Sequence, residues 1–408
     1  MSVGLKQPRK LFPVPGVRLA AIHSGLKTNP ESTDLVLVEV SEKATLAATF
    51  TTNRFCAAPV TVAREHLEKQ LLSEHRAIRY LLINSGNANA GTGQQGYQDA
   101  LICCQAVAEL GSSSSEQVLP FSTGVIAARL PADTICNAIP SLFDSLSADK
   151  WLEAAEGIMT TDTLPKGITE QVTISGETVT ITGITKGSGM IKPDMATMLA
   201  YVATDAKIEK ALLDELIKQA VACSFNSITV DGDTSTNDAC ILIATGQAGV
   251  EVNAETSDFI QALIRVFKYL AQSIIRDAEG ATKFVEIEVK NALSLEDARE
   301  VGYTIAHSPL VKTALFASDA NWGRILAAVG RARIDTLDVS RIDLYLGNTC
   351  LLKNGMPDSQ YREEFGQQEM NKEEIKITVD LNQGRCSTSI WTSDLSYEYV
   401  KINAEYRN

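Results

Sequence analysis

The segment that most constrains this chain is Lys186–Leu199, KGSGMIKPDMATML. Two glycines and a proline interrupt regular structure, then give way to an apolar, strand-like run over residues 195–203. One hydroxyl residue, Thr197, stands at that junction behind the small residue Ala196. A threonine so placed can attack the carbonyl in front of it and break the chain at Ala196–Thr197. The new α-amine then lies beside the hydroxyl and serves as its base, the pairing used by N-terminal threonine nucleophiles. An α-amine titrates near roughly 8, so it accepts a proton at cellular pH without further tuning. By pattern alone, threonines inside apolar runs are far more often strand residues with a satisfied hydroxyl.

Bulk properties exclude several classes. At 408 residues the chain can bury a large core and form two or three structural units. A net charge of -13 argues against a nucleic-acid partner, because no basic stripe is available to displace counterions. The eight cysteines show no CxxC spacing and read as reduced small residues of a cytoplasmic protein. His23, His66, His75 and His307 are scattered without an HExxH, so no metal is expected. The N-terminus carries neither a secretory signal nor the serine-rich pattern of a transit peptide. No run approaches the roughly 20 apolar residues that span a bilayer, so no membrane partner is expected either.

The order of elements reads as mixed α/β. Strands are expected at 35–40, 45–51, 79–83 and 118–123, with a helix over 100–110 stopped by Gly111. Residues 172–184 alternate as a hairpin turning at Ser175-Gly176-Glu177. Asp205 is placed to cap an amphipathic helix through Val221, and a second such helix spans 257–277. Strands at 227–230 and 239–244 flank the polar loop 231–238. Beyond Lys283 come a half-exposed strand at 285–289, helices at 295–306 and 310–317, and strands at 342–346 and 375–381. A boundary falls near 280–290, giving expected domains of residues 1–282 and 283–408.

Further segments then bear on the chemistry. They include FTTNRF at 50–55, NSGNANA at 84–90, STGVI at 122–126, MTTDT at 159–163, EGATK at 279–283, SDANWGRIL at 318–326 and KINAEYR at 401–407. Together with the Lys186–Leu199 run and in this order, they resemble the ornithine acetyltransferase family, the bifunctional glutamate N-acetyltransferases. The resemblance covers nearly the whole chain, and many motifs in one order are a far stronger signal than any single one. It implies an αββα sandwich of the self-processing aminopeptidase type with a smaller C-terminal α/β domain.

The same resemblance implies a self-cleaved threonine nucleophile, Thr197. It also implies an oxyanion hole at Thr123 and Gly124, where a glycine permits close backbone approach and a hydroxyl can donate. Substrate contacts carry over onto Thr160, Lys186, Thr197, Glu279, Asn403 and Asn408. Lys186 is expected to pair with a carboxylate and Glu279 with an ammonium of an ornithine-like substrate. By default such residues are solvated loop charges, and a C-terminal tail is disordered.

The implied activity is ping-pong transfer of acetyl from N-acetylornithine to glutamate, in arginine biosynthesis, without an energy cofactor. Acetyl-CoA is a possible second donor. Pieces 1–196 and 197–408 are expected to stay associated, and pairs to assemble as a homo-oligomer of two α and two β chains. The chain departs from the family pattern at Gly91, Asp194, Ala278 and Asn408, none of which removes a catalytic group.

Two rivals follow from other readings. An aminopeptidase or amidase of the same fold would pass its acyl group to water. A dinucleotide-binding module would rest on Gly91–Gly96, which fits GxGxxG, yet seven residues separate the expected strand end from the first glycine. Asp231, Asp233 and Asp238 suggest calcium, but the EF-hand's closing glutamate is missing.

Overall fold

The computed structural model describes residues 2–8, 10–71, 77–192 and 198–405. The chain begins with strands β1 (Val17–Ile22), β2 (Leu35–Val40) and β3 (Thr45–Phe50), then helix α1 (Ala58–Leu71). Strand β4 (Tyr80–Asn87), helix α2 (Gly93–Leu110) and strand β5 (Val118–Val125) follow, with helices α3 (Ala132–Asp144) and α4 (Trp151–Gly157) behind them. A long hairpin of β6 (Lys166–Ile174) and β7 (Glu177–Lys186) leads to β8 (Leu199–Thr204), the short β9 (Lys207–Ile208) and helix α5 (Lys210–Ala222). Next come β10 (Ile228–Thr229), β11 (Ala239–Ala244), β12 (Glu251–Val252) and the long helix α6 (Ser257–Arg276).

The remainder begins with β13 (Phe284–Ala292), α7 (Leu295–Ala306), α8 (Pro309–Phe316) and α9 (Trp322–Gly330). Strands β14 (Asp343–Leu346), β15 (Thr349–Lys353) and β16 (Met356–Pro357) precede α10 (Glu363–Met370). Strands β17 (Glu374–Asp380) and β18 (Cys386–Ser393) and helix α11 (Tyr397–Glu405) complete it.

Side-chain parity along the strands sorts these elements into four layers. In a strand, alternate residues face opposite sides. Val36, Val38, Leu81, Ile83, Leu119 and Phe121 of the sheet ordered β1-β2-β4-β5 share one core with Leu199, Tyr201, Ile241 and Ile243 of the sheet ordered β3-β11-β8-β7-β6. The Phe121 and Tyr201 rings meet edge to face across that gap, 5.4 Å between centroids. The opposite parity of the first sheet, Leu35, Leu37, Tyr80 and Leu82, packs on α2 and α3. That of the second, Ala200, Val202, Cys240 and Leu242, packs on α5 and α6. The fold is therefore an αββα sandwich. Helix α6 earns its place by spacing: Phe259, Leu263, Val266, Leu270 and Ile274 recur at three or four residues and are all buried.

A third large sheet is seven-stranded and mixed, in the order β10-β18-β13-β17-β14-β15-β16. Its core joins Val285, Ile287 and Val289 to Val301 and Ile305 of α7. One strand is borrowed: β10 pairs in parallel with β18, Ile228 opposite Trp391.

Several elements differ from the sequence expectations. Strand β4 continues to Asn87 rather than ending at Ile83, because parallel pairing with β5 persists through Gly86. Asp205 does not cap α5; it accepts the Thr180 N–H at 2.8 Å, and Glu209 precedes the helix after the short β9. The hairpin is longer than residues 172–184, running from Lys166 opposite Thr185 to a turn at Ser175-Gly176. The expected strand 195–203 begins at Leu199, its first three residues lying outside the described set. Polar helix α11 forms at the C-terminal end, where the default is a loose tail.

Candidate active site

The two sheets meet the site at strand ends. Lys186 is the last residue of β7 and is 9% exposed. Its Nζ donates to Thr123 Oγ1 at 3.0 Å and to Thr160 Oγ1 at 2.9 Å, joining one sheet to β5 of the other. Burial pushes the Lys186 ammonium pKa down and Lys166 adds to this, while Asp162, Asp238 and Glu279 oppose it. Two threonine hydroxyls are thus the hydrogen-bond partners of Lys186 among the described residues. A hydroxyl that accepts from an ammonium keeps its own hydrogen free to donate elsewhere.

Gly124 follows Thr123 with φ +134, and a Cβ there would run into the Gly86 carbonyl of the neighbouring strand. Only glycine fits this close approach, so the peptide beside Thr123 is fixed by a steric requirement. Across the gap, Asn237 precedes β11 by two residues, and its amide donates to Ala88 O at 2.6 Å and Ser122 O at 2.8 Å.

Beneath Lys186 lies a buried ionic cluster. Lys166 Nζ reaches Asp162 Oδ1 at 2.6 Å and Asp277 Oδ2 at 2.7 Å, all three side chains being fully or almost fully buried. Asp162 also accepts the Gly187 N–H at 2.8 Å and the Thr160 N–H at 3.0 Å. It therefore fixes the backbone on both sides of the Lys186–Thr160 contact. Burial alone would push the Asp162 carboxyl up, but Lys166, Lys186 and these donors hold it well below the usual range.

Glu279 forms the opposite end. Its Oε1 accepts from the Thr161 hydroxyl at 2.7 Å and its Oε2 from the Asn403 amide of α11 at 2.7 Å. Thr161 also meets Ser188 Oγ at 2.6 Å, and the Glu279 N–H donates to Ser188 O at 2.9 Å. A Cβ on Gly189 would meet the Glu279 carboxylate, so a larger residue there would displace that side chain from its present position.

One cavity of about 110 Å³ is lined by Thr123, Gly124, Thr160, Lys186, Glu279 and Asn403. Those six expected site residues are brought together from five separate stretches of chain. Ala196, Thr197, Asp194 and Asn408 lie outside the described residues. Met198, the next described residue, leads directly into β8 between β7 and β11.

Thr161, Asp162, Ser188 and Asn237 were not singled out by sequence. Thr161 and Asp162 lie inside the quoted MTTDT segment, the only signal that could have found them. Asp231 of the calcium-like loop has a different duty: it accepts the Met190 and Ile191 N–H groups at 2.6 and 2.9 Å and the Tyr399 hydroxyl at 3.1 Å. Among the described residues no three His, Cys, Asp or Glu side chains converge to hold a metal ion. In the Gly91–Gly96 stretch, Asn89 and Thr92 crowd Gly96 and the Asn89 amide donates to its carbonyl at 2.8 Å.

Comparison with known proteins gives a consistent picture. Residues 18–408 match the ArgJ family. An arginine biosynthesis bifunctional protein ArgJ from Pseudomonas syringae pv. tomato is 50% identical over 412 residues, covering all of both chains. That of Methylococcus capsulatus is 50% identical over 98% of this chain and 97% of its own. Among solved structures, a Bacillus halodurans protein of the same name is 38% identical over 50% of this chain and 98% of its own, with a TM-score of 0.49. The Mycobacterium tuberculosis ornithine acetyltransferase, solved with ornithine, is 29% identical over 46% of this chain and 98% of its own, with a TM-score of 0.38.

Proposed function

The chain belongs to the ArgJ family, and from that premise we propose that it moves an acetyl group from N-acetylornithine to glutamate through an acetyl-threonine ester. It is an acyltransferase of arginine biosynthesis. The reading is supported chiefly by the single cavity that gathers Thr123, Gly124, Thr160, Lys186, Glu279 and Asn403.

In this reading, cleavage between Ala196 and Thr197 frees the Thr197 α-amine. The amine takes the hydroxyl proton as Thr197 Oγ attacks the acetyl carbonyl. Charge collects on the carbonyl oxygen, where the Thr123 hydroxyl and Gly124 N–H donate to it. Lys186, donating to the oxygens of Thr123 and Thr160, leaves the Thr123 hydrogen free for this task and sets a positive charge behind it. Collapse breaks the carbon–nitrogen bond, and ornithine leaves with the proton held by the amine. Glutamate's α-amine then attacks the ester past the same donors, and Thr197 regains its proton as N-acetylglutamate departs.

Glu279 pairs with a substrate ammonium, while Thr160, Asn403 and Asn408 supply hydrogen bonds. No cofactor is consumed, and acetyl-CoA serves as a second donor in the bifunctional form. The pieces 1–196 and 197–408 remain associated, and pairs assemble as two α and two β chains in the cytoplasm. The catalytic unit comprises residues 1–282 and the C-terminal unit residues 283–408.

Intact mass spectrometry tests this directly. The purified protein should give two masses, with N-acetylornithine adding one acetyl to the C-terminal piece. Thr197→Ala should stay in one piece and acquire none. Cleavage of that variant, or free acetate in place of glutamate-dependent transfer, would refute the reading and favour the amidase alternative.

A further inference from the structure

Met190 stands in a backbone conformation that residues other than glycine rarely adopt. Its φ is +56, in the left-handed region, where a side chain costs energy. The bonds around it hold it there. Asp231 takes the Met190 N–H at 2.6 Å on one carboxyl oxygen and the Ile191 N–H at 2.9 Å on the other. The Ile191 carbonyl accepts the Val230 N–H at 2.9 Å and the Thr229 hydroxyl at 2.8 Å, and the Ile191 side chain is buried. Glycine, free of that cost, occupies positions 187 and 189 but not this one. An outlier so firmly held points to a use for the side chain it carries.

That side chain borders the cavity. Met190 and Ile126, both exposed, are the two apolar side chains of the described lining, which is otherwise hydroxyls, amides, glycines, a lysine and a carboxylate. Gly189, one residue earlier, lies against the Glu279 carboxylate, so Met190 enters the lining at the Glu279 end. N-acetylornithine carries a single ammonium, at the tip of its side chain, because its α-nitrogen bears the acetyl group. With the acetyl carbonyl at Thr123 and Gly124 and the ammonium at Glu279, three methylenes lie between and need apolar contact.

On the acetyl-transfer reading above, we infer that Met190 is a specificity-determining residue that gauges the length of the donor's side chain. Its backbone is clamped by Asp231, so the side chain cannot retreat with the turn when a longer donor enters. A fourth methylene carries the ammonium past the Glu279 carboxylate and presses the chain on Met190. One methylene fewer leaves the ammonium short of its partner, with a gap beside the thioether.

The test compares kcat/KM for the Nα-acetyl derivatives of ornithine, lysine and 2,4-diaminobutyrate, with glutamate as acceptor. The wild type should prefer the ornithine compound over either neighbour by about tenfold or more. Met190→Ala should raise the lysine-to-ornithine ratio by about fivefold or more, and Met190→Leu, close in volume, should bring it back. A merely structural role would lower all three rates together and leave the ratio in place. That result, or a wild type without the preference, would overturn the inference. In a variant that folds without turning over, calorimetric Kd values for ornithine and lysine read the same ratio, and binding of neither also counts against the gauge. A wild type that transfers acetyl from none of the three donors would instead sink the acetyl-transfer reading, and the gauge with it.

Discussion

At one end of the cavity, Lys186 sits buried on the last position of a strand, held by hydroxyls from two other segments and backed by the Lys166–Asp162–Asp277 cluster. At the other end, half-buried Glu279 is held by Thr161 and by Asn403, an exposed residue of a helix with no buried side chain. The first end is fixed by desolvated charges that have nowhere else to go. The second relies on hydrogen bonds that water can replace. On the proposed reading, rigid positioning falls where negative charge would develop, and adjustable contact where substrates of different shape would exchange.

Substitutions should separate the two ends by size of effect. Asp162→Ala strips Lys166 of one partner and frees the Thr160 and Gly187 amides. It should cost about 3–5 kcal/mol of folding stability in a denaturant titration. Thr123→Val should fold normally yet lose about 100- to 1,000-fold in kcat with little change in KM. Asn403→Ala, at the loose end, should raise KM for N-acetylornithine while moving stability by no more than about 0.5 kcal/mol. If Asn403→Ala proved as destabilising as Asp162→Ala, the contrast between the ends would be broken.

A further expected effect lies outside the cavity and shows only on the acid side. His307 contacts the Thr229 hydroxyl at 3.0 Å, and Thr229 in turn donates to Ile191 O at 2.8 Å. Burial, with Lys192, Lys312 and Arg331 nearby, pushes the imidazole down to about 4. The unfolded chain then binds a proton that the folded one refuses between about 6.5 and 4, so stability falls as pH falls through that window. His307→Gln should flatten that part of the stability-versus-pH curve and leave the alkaline side as it was.

Local chemistry made some of this legible. The 3.6-residue spacing of α6 and the period-2 pattern of β13 report burial directly, because one face of each meets a core. Helix α7 runs over the expected 295–306, with Ser294 accepting the Asp297 N–H at its start. The site is another matter. Thr123, Lys186, Glu279 and Asn403 are distant in sequence, and no periodicity says that they share a cavity; only the run of family motifs joined them. Supporting groups were invisible for the same reason. Asp162 reads as an ordinary loop carboxylate until Lys166, four residues on, turns the same way into a dry interior. Asp205 shows the converse failure: a good capping residue by type was claimed instead by Thr180 of a neighbouring strand.

The order β3-β11-β8-β7-β6 has a mechanical consequence. Severing the backbone ahead of residue 197 would assign β3, β7 and β6 to one polypeptide and β11 and β8 to the other, dovetailed within a single sheet. Pulling them apart would mean unzipping six residue pairs between β7 and β8 and six more between β11 and β3. A nick at that point should therefore leave the halves locked together, separable by denaturant but not by dilution.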